Sequence, residues 1–234
     1  MIRAAISELL GIPLGRFVDV AAFDSVNKLA WQKLPDRGHR ELFAMGWNGL
    51  GKGSLAAARH AHKFDRLFVN EPAASPEQRF RQDDEWFSFV TNAAAASESL
   101  IFSAYIVARG YDSNALTEFH LRTRLNWMID ALERVPQTEL LGQFVRDALK
   151  DDEGASLIDF RDVFLHRGRV PRHHSEGGPH HRRITVARNP KGIPSAWRPD
   201  RYFEPGGLDL WGDWLGTYVT WATPLIRDAL NGLP

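Results

Sequence analysis

The sequence has no cysteine among its 234 residues. This absence excludes disulfide bonds, thiolate metal sites and cysteine nucleophiles. A chain without cysteine suits a reducing compartment, so we expect a cytoplasmic protein. Net charge is absent as well, because 29 lysine and arginine residues balance 29 aspartate and glutamate residues. The charge of the whole molecule therefore indicates no particular class of partner.

Long apolar runs are also missing. No stretch of about 18 consecutive apolar residues occurs, so the sequence predicts no membrane-spanning helix and no membrane partner. The first residues, MIRAAISELLGIPLG, do not match a signal peptide, because Glu8 interrupts the apolar run and no small-residue cleavage site follows. The composition is that of a globular chain with one domain, or one domain and an extension.

Helical periodicity is the main pattern that is present. In residues 1–80 turn signals such as GLGKGS divide it into short helices, predicted at Ile2–Leu10, Phe17–Trp31, Gly38–Met45 and Leu55–Phe64. Longer helices are predicted at Asp83–Arg109, Thr117–Arg134, Gln137–Lys150, Ala155–Gly168 and Leu208–Leu230. The alanine-rich part of the helix from Asp83 permits close packing against another helix. Residues 169–207 contain one short predicted strand, Arg182–Ala187.

These elements predict an all-α fold. A bundle of four or five helices would occupy residues 81–234, and residues 1–80 would form an N-terminal helical extension. Residues 169–207 would be a basic loop inserted before the last helix. The segment from 161 to 201 contains ten arginine and lysine residues and three acidic residues, which gives it a net charge of +7. Five of the nine histidines also lie there. Such a block either attracts a polyanion or is a solvated loop.

The segment RDVFLHRG, residues 161–168, places a cation on the apolar face of a predicted helix. At 100° per residue, Arg161 lies between Leu157 and Leu165, near the centre of the apolar arc. A guanidinium there must reach solvent, pair with an acid such as Glu98, or meet a ligand. His166, just before the predicted helix end, could equally complement the negative end of the helix dipole.

The pattern of Arg161, Asp162 and His166 resembles the signature of the HEPN superfamily, an arginine followed after four to six residues by a histidine near the end of a late bundle helix. The flanking LHRG and Pro171 fit the same resemblance, which covers roughly residues 83–169. HEPN proteins are helical bundles, and many are metal-independent RNases of toxin–antitoxin, phage-defence and RNA-processing systems. The resemblance implies an endoribonuclease without cofactor or metal, with RNA as substrate and an antitoxin protein as a candidate partner.

The residue types suit that chemistry. Histidine titrates near neutrality and can transfer protons, which accelerates reactions by about 10²–10⁴-fold. Arginine keeps its charge and binds phosphate oxygens with two donors. Asp162 would orient a neighbouring side chain or raise the pKa of a nearby histidine, although many active family members carry asparagine there. Substrate RNA would be steered by basic residues nearby, namely Arg167, Arg169, Arg172, Arg182 and Arg183. The alternative is a non-catalytic HEPN-like module that binds a nucleotide or a protein.

The arginine and histidine project about 140° apart at this spacing, so one helix does not bring them together. The family's usual solution is a dimer whose two motifs share a cleft, so we expect a homodimer with a composite site. We place its close contact at the alanine-rich helix from Asp83.

Two further motifs allow other chemistry. The histidine pairs His173/His174 and His180/His181 suit a metal by residue type, but the glycine-rich sequence between them favours a solvated loop. The segment GWNGLGKGS, residues 46–54, is similar to a phosphate-binding loop, but Gly53 replaces the required serine or threonine, so a flexible turn is predicted.

Overall fold

The computed structural model describes residues 20–67, 75–112, 125–166, 172–174, 184–186, 201–203 and 208–234. Within these residues the chain is mostly helical, which confirms the expected class. The helices are α1 (Val20–Lys33), α2 (Arg37–Arg66), α3 (Pro76–Tyr111), α4 (Leu125–Arg134), α5 (Glu139–Lys150), α6 (Asp152–His166) and α7 (Asp209–Asn231). The bundle character is therefore established, whereas a HEPN-specific arrangement stays a prediction.

Three short strands lie between α6 and α7. They are β1 (Arg172–His174), β2 (Ile184–Val186) and β3 (Arg201–Phe203), and they form an antiparallel sheet in that order. The predicted strand at Arg182–Ala187 is confirmed in its central part by β2. The other two strands were expected to be loop. Each is only three residues long, too short for an alternating pattern to stand out in the sequence.

Helices α2 and α3 form a long antiparallel pair, and here the sequence prediction was wrong. GLGKGS is not a turn, because α2 continues through it from Arg37 to Arg66. Gly46, Gly49 and Gly53 face α3, whereas Gly51 lies against Phe23 of α1. A Cβ atom at Gly46 would lie 2.5 Å from the Ser103 hydroxyl, and one at Gly53 would lie 2.9 Å from the Asn92 carbonyl oxygen. These glycines therefore serve close helix packing rather than a change of chain direction.

The start of α3 follows from its capping residues. Ser75 and Gln78 form a reciprocal capping box, and Pro76 occupies the first turn. The helix therefore begins seven residues before the predicted Asp83.

By length and composition α3 could cross a membrane, but 67% of its most apolar stretch is buried inside the chain, as in the core helix of a soluble protein.

The remaining helices lie close to their predicted positions. The N-terminal part of the predicted helix Thr117–Arg134 lies outside the described residues, and the described part ends at Arg134 as expected. Helices α5 and α6 begin within three residues of the predicted starts, and α7 within one. Residues 167 and 168, the predicted end of α6, lie outside the described part of the chain.

One hydrophobic core joins all the described helices. Trp47 of α2 and Trp211 of α7 both belong to it, so the core includes residues on each side of position 80. Along α3, Ala93, Ala94 and Ala96 are buried within the chain. Ala95 of the same run is exposed, and the contact between two subunits that the sequence predicts on this helix stays a prediction. The division into an extension and a bundle at residue 80 stays a prediction.

Candidate functional site

The candidate site lies where α6 packs on α3. Asp152 and Glu153 in the first turn of α6 favour helix initiation, because they complement the positive end of the helix dipole. Phe160 holds the helix in the core. Its ring centroid lies 5.4 Å from that of Trp86 on α3 and 5.4 Å from that of Trp211 on α7. The next residue, Arg161, is consequently fixed at the edge of the same contact.

Arg161 is held by two carboxylates. Its Nη2 donates to Glu98 Oε1 on α3, and its Nη1 lies 3.3 Å from Asp162 Oδ1. The Arg161 side chain is 21% exposed, and that of Glu98 is 37% exposed. The sequence alternative in which Arg161 pairs with Glu98 is therefore confirmed. With both carboxyl groups ionised, the three side chains carry a net charge of −1.

Glu98 has an altered acidity. Burial raises the pKa of its carboxyl group above the ordinary value of 4.5, although the neighbouring Arg161 acts in the opposite direction. Asp162 adds to the upward shift of this pKa, since a second negative charge disfavours ionisation of the first. The protonation state of Glu98 thus determines how much of the Arg161 charge is neutralised.

The guanidinium is not fully satisfied in this arrangement. The Nε atom of Arg161 is buried and has no hydrogen-bond partner among the described residues. A buried donor without a partner costs free energy, typically about 1–3 kcal/mol and more for a charged group. The pair with Glu98 therefore leaves part of the donor capacity of Arg161 unused.

The other predicted site residues are only partly located. His166 is the last residue of α6, but its side chain lies outside the described part of the chain. Arg172 is the first residue of β1 and pairs in register with Val186 of β2. The remaining predicted RNA-binding residues lie outside the described residues; they are Arg167, Arg169, Arg182 and Arg183.

Only one of the two histidine pairs lies within the described residues. His173 and His174 lie in β1, opposite Thr185 and Ile184, whereas His180 and His181 lie outside the described residues. Within the described ranges, no group of three or more histidine, aspartate or glutamate residues is arranged to hold a metal ion. The phosphate-loop motif at 46–54 offers no loop at all, since it lies inside α2.

A histidine–carboxylate pair between α2 and α3 was not predicted from the sequence. His60 Nδ1 lies 2.6 Å from Glu85 Oε2, and Lys63 Nζ lies 3.7 Å from Glu85 Oε1. The pair joins α2 to α3 across 25 positions of sequence, so no local spacing could have indicated it. A continuous α2 packed antiparallel to α3 was needed to bring these residues together.

Comparison with known proteins does not assign the chain to a family. No family model, no curated protein and no solved structure matches this chain. The site must therefore be interpreted from its own geometry.

Proposed function

We propose that this chain is a metal-independent endoribonuclease of the HEPN type. Arg161 would bind the scissile phosphate and His166 would transfer protons. The observation that carries the proposal is the position of Arg161, a part-exposed guanidinium on the same late helix that ends at His166. In the reaction, the 2′-oxygen would bond to phosphorus while the bond from phosphorus to the 5′-oxygen breaks. The products would be a 2′,3′-cyclic phosphate and a 5′-hydroxyl.

Glu98 would regulate phosphate binding at this site. While its carboxyl group is ionised, it neutralises Arg161 and repels a phosphate through the excess negative charge. Protonation of Glu98 removes that charge, which leaves Arg161 with Asp162 as its one anionic neighbour among the described contacts. The raised pKa of Glu98 brings this protonation closer to neutral pH.

The proposed enzyme works as a homodimer. Arg161 and His166 are five residues apart, and on an ideal helix this spacing corresponds to about 7.5 Å along the axis and about 140° around it, so one helix would not bring them together. Across a shared cleft, Arg161 of one copy would bind the phosphate, and His166 of the other would take the proton from the 2′-hydroxyl and deliver it to the leaving oxygen. A toxin–antitoxin or phage-defence setting, with an antitoxin partner, is supported by the motif resemblance alone.

One observation favours a second candidate function. The ion pair between Arg161 and Glu98 already compensates the guanidinium, which suits a structural role. The chain would then be a non-catalytic HEPN-like module that binds a nucleotide or a protein.

The two candidates differ in a cleavage assay. Labelled single-stranded RNA is incubated in EDTA with the wild-type protein or with the double variant Arg161→Ala, His166→Ala. The enzyme proposal expects cleavage by the wild type and its loss in a variant whose circular dichroism is unchanged. Absence of cleavage by the wild type, or equal cleavage by the variant, overturns the proposal.

A further inference from the structure

The outer face of α2 carries a concentration of positive charge that the proposed reaction does not use. Every exposed residue between positions 51 and 67 is basic; these residues are Lys52, Arg59, His62, Lys63 and Arg66. We call them the α2 stripe. The opposite face of the same helix is buried in the core or packed on α3. The stripe is therefore a surface feature, separate from the packing of the fold.

The geometry of the helix aligns these cations. At 100° per residue, Lys52, Arg59, Lys63 and Arg66 fall within an arc of about 60°, and they extend over about 21 Å at 1.5 Å per residue. Along one strand of a DNA duplex, phosphates follow at about 3.4 Å per nucleotide, so the stripe has the length of about six phosphates.

The charges of the stripe are largely uncompensated. Lys63 lies 3.7 Å from Glu85, but Lys52, Arg59 and Arg66 form no ion pair within the described part of the chain. Between positions 51 and 67 there is one acidic residue, Asp65, and it is not among the exposed ones. A zero net charge over the whole chain thus coexists with a local row of cations. Such a row raises the local concentration of anionic partners.

We propose that the α2 stripe binds the sugar–phosphate backbone of a nucleic acid strand. An acidic protein is disfavoured, because protein interfaces depend on exposed aromatic or apolar anchors and the stripe has none. Base recognition is not expected either, since lysine and arginine on a convex helix face meet phosphates first. Binding should therefore be independent of sequence, and it does not require the proposed cleavage.

The test compares two variants with equal charge changes. The stripe variant carries Lys52→Gln, Arg59→Gln, Lys63→Gln and Arg66→Gln. The control variant carries Lys28→Gln, Arg134→Gln, Lys150→Gln and Arg227→Gln, which are exposed cations on other helices. Binding to a labelled strand of 20 thymidines is followed by fluorescence anisotropy from 50 to 300 mM NaCl. This probe has no 2′-hydroxyl, so cleavage cannot disturb the measurement; a strand of 20 uridines is tested in parallel.

We expect the wild type and the control variant to bind the probe with a steep salt dependence. In the stripe variant the slope of log K against log salt should fall by about 2–3, because each lost phosphate contact removes about 0.7 for single strands. Unchanged circular dichroism shows that the variant is folded. The proposal is overturned if the stripe variant binds like the wild type, if the control variant loses as much, or if the wild type binds polyglutamate but neither strand. Binding without RNA cleavage would overturn the proposed enzyme alone.

Discussion

Two tyrosine hydroxyls show how differently one chemical group contributes to stability. Tyr218 is buried between the rings of Phe144 and Trp214, and its hydroxyl has no hydrogen-bond partner among the described residues. Burial also raises the pKa of Tyr218. Tyr111 is only partly buried, and its hydroxyl donates to the Ala229 carbonyl oxygen on α7. A buried hydroxyl without a hydrogen-bond partner lowers the free energy of unfolding, whereas a hydroxyl that donates a hydrogen bond raises it.

Removing each hydroxyl should therefore have opposite effects. We expect Tyr218→Phe to raise the free energy of unfolding by about 1 kcal/mol and Tyr111→Phe to lower it by about the same amount. Urea titrations followed by circular dichroism measure both. A Tyr218→Phe variant less stable than the wild type would show that its hydroxyl has a partner that this account lacks.

At Glu98 a single proton should control phosphate access to Arg161. Because the pKa of Glu98 is raised, its carboxyl group is neutral over a wider pH range than an exposed glutamate, and Arg161 is freer below that pKa. RNA cleavage by the wild type, relative to Glu98→Gln with the same His166, should therefore increase as the pH falls through the pKa of Glu98. In Glu98→Gln the side chain is neutral at every pH, so cleavage near pH 7 should exceed that of the wild type and the difference should disappear below the pKa of Glu98.

The pH–rate profile of cleavage, measured in EDTA under single-turnover conditions, checks this prediction. Glu139→Gln is the matched control, because Glu139 is an exposed glutamate on α5. An identical profile for Glu98→Gln and the wild type would contradict a role for Glu98 in phosphate access.

Among the elements, the pair formed by α2 and α3 depends on glycine at close contacts. A Cβ atom at Gly53 would lie 2.9 Å from the Asn92 carbonyl oxygen and 3.1 Å from the Ala96 nitrogen, both of them backbone atoms. Because backbone cannot move aside as a side chain can, the two helices would have to separate.

Gly53→Ala should accordingly destabilise the protein by about 1–2 kcal/mol, even though alanine favours helix by about 1 kcal/mol. Asn48→Ala tests the same helix on its exposed face, where no contact is lost and stability should be unchanged or slightly higher. Thermal or urea unfolding of both variants measures these changes in stability. Greater stability of Gly53→Ala would mean that α2 and α3 are not in close contact there.

The same pair of helices marks the limit of what the sequence could predict. Apolar spacing located α5 and α7 closely, because one face of each is buried and the other is solvated. The glycines in GLGKGS fit a turn and close helix packing equally well in the local sequence, and only the positions of the neighbouring helices α1 and α3 distinguish the two. The break predicted at GLGKGS also concealed the α2 stripe, since its cations align only on a continuous helix.

The candidate site was predictable to a similar extent. Arg161 and its partner Glu98 were identified, because a cation on an apolar arc demands compensation. The raised pKa of Glu98 was not predictable, since it follows from burial at the contact between α3 and α6. His60 and Glu85 were missed because their contact joins distant parts of the chain.

For the whole molecule, the proposed composite site requires that two chains cooperate. Arg161→Ala and His166→Ala should each be inactive as pure proteins. After the two are mixed and allowed to exchange subunits, each mixed dimer has one Arg161 and one His166 from different chains, and part of the activity should return. Light scattering on the same samples reports the dimer. A monomeric mass, or a mixture as inactive as its components, would contradict a shared site.

In the proposed reaction, the Arg161 guanidinium and the His166 imidazole on α6 cleave RNA through its own 2′-hydroxyl. The most direct measurement compares a single-stranded RNA with its 2′-O-methyl counterpart of the same sequence, in EDTA, with product ends identified by mass spectrometry. We expect the wild type to convert the RNA to 2′,3′-cyclic phosphate ends and to leave the methylated strand intact, whereas Arg161→Ala should leave both strands intact. Intact RNA in the presence of the wild type, or the same products from Arg161→Ala, would contradict the proposed roles of Arg161 and His166.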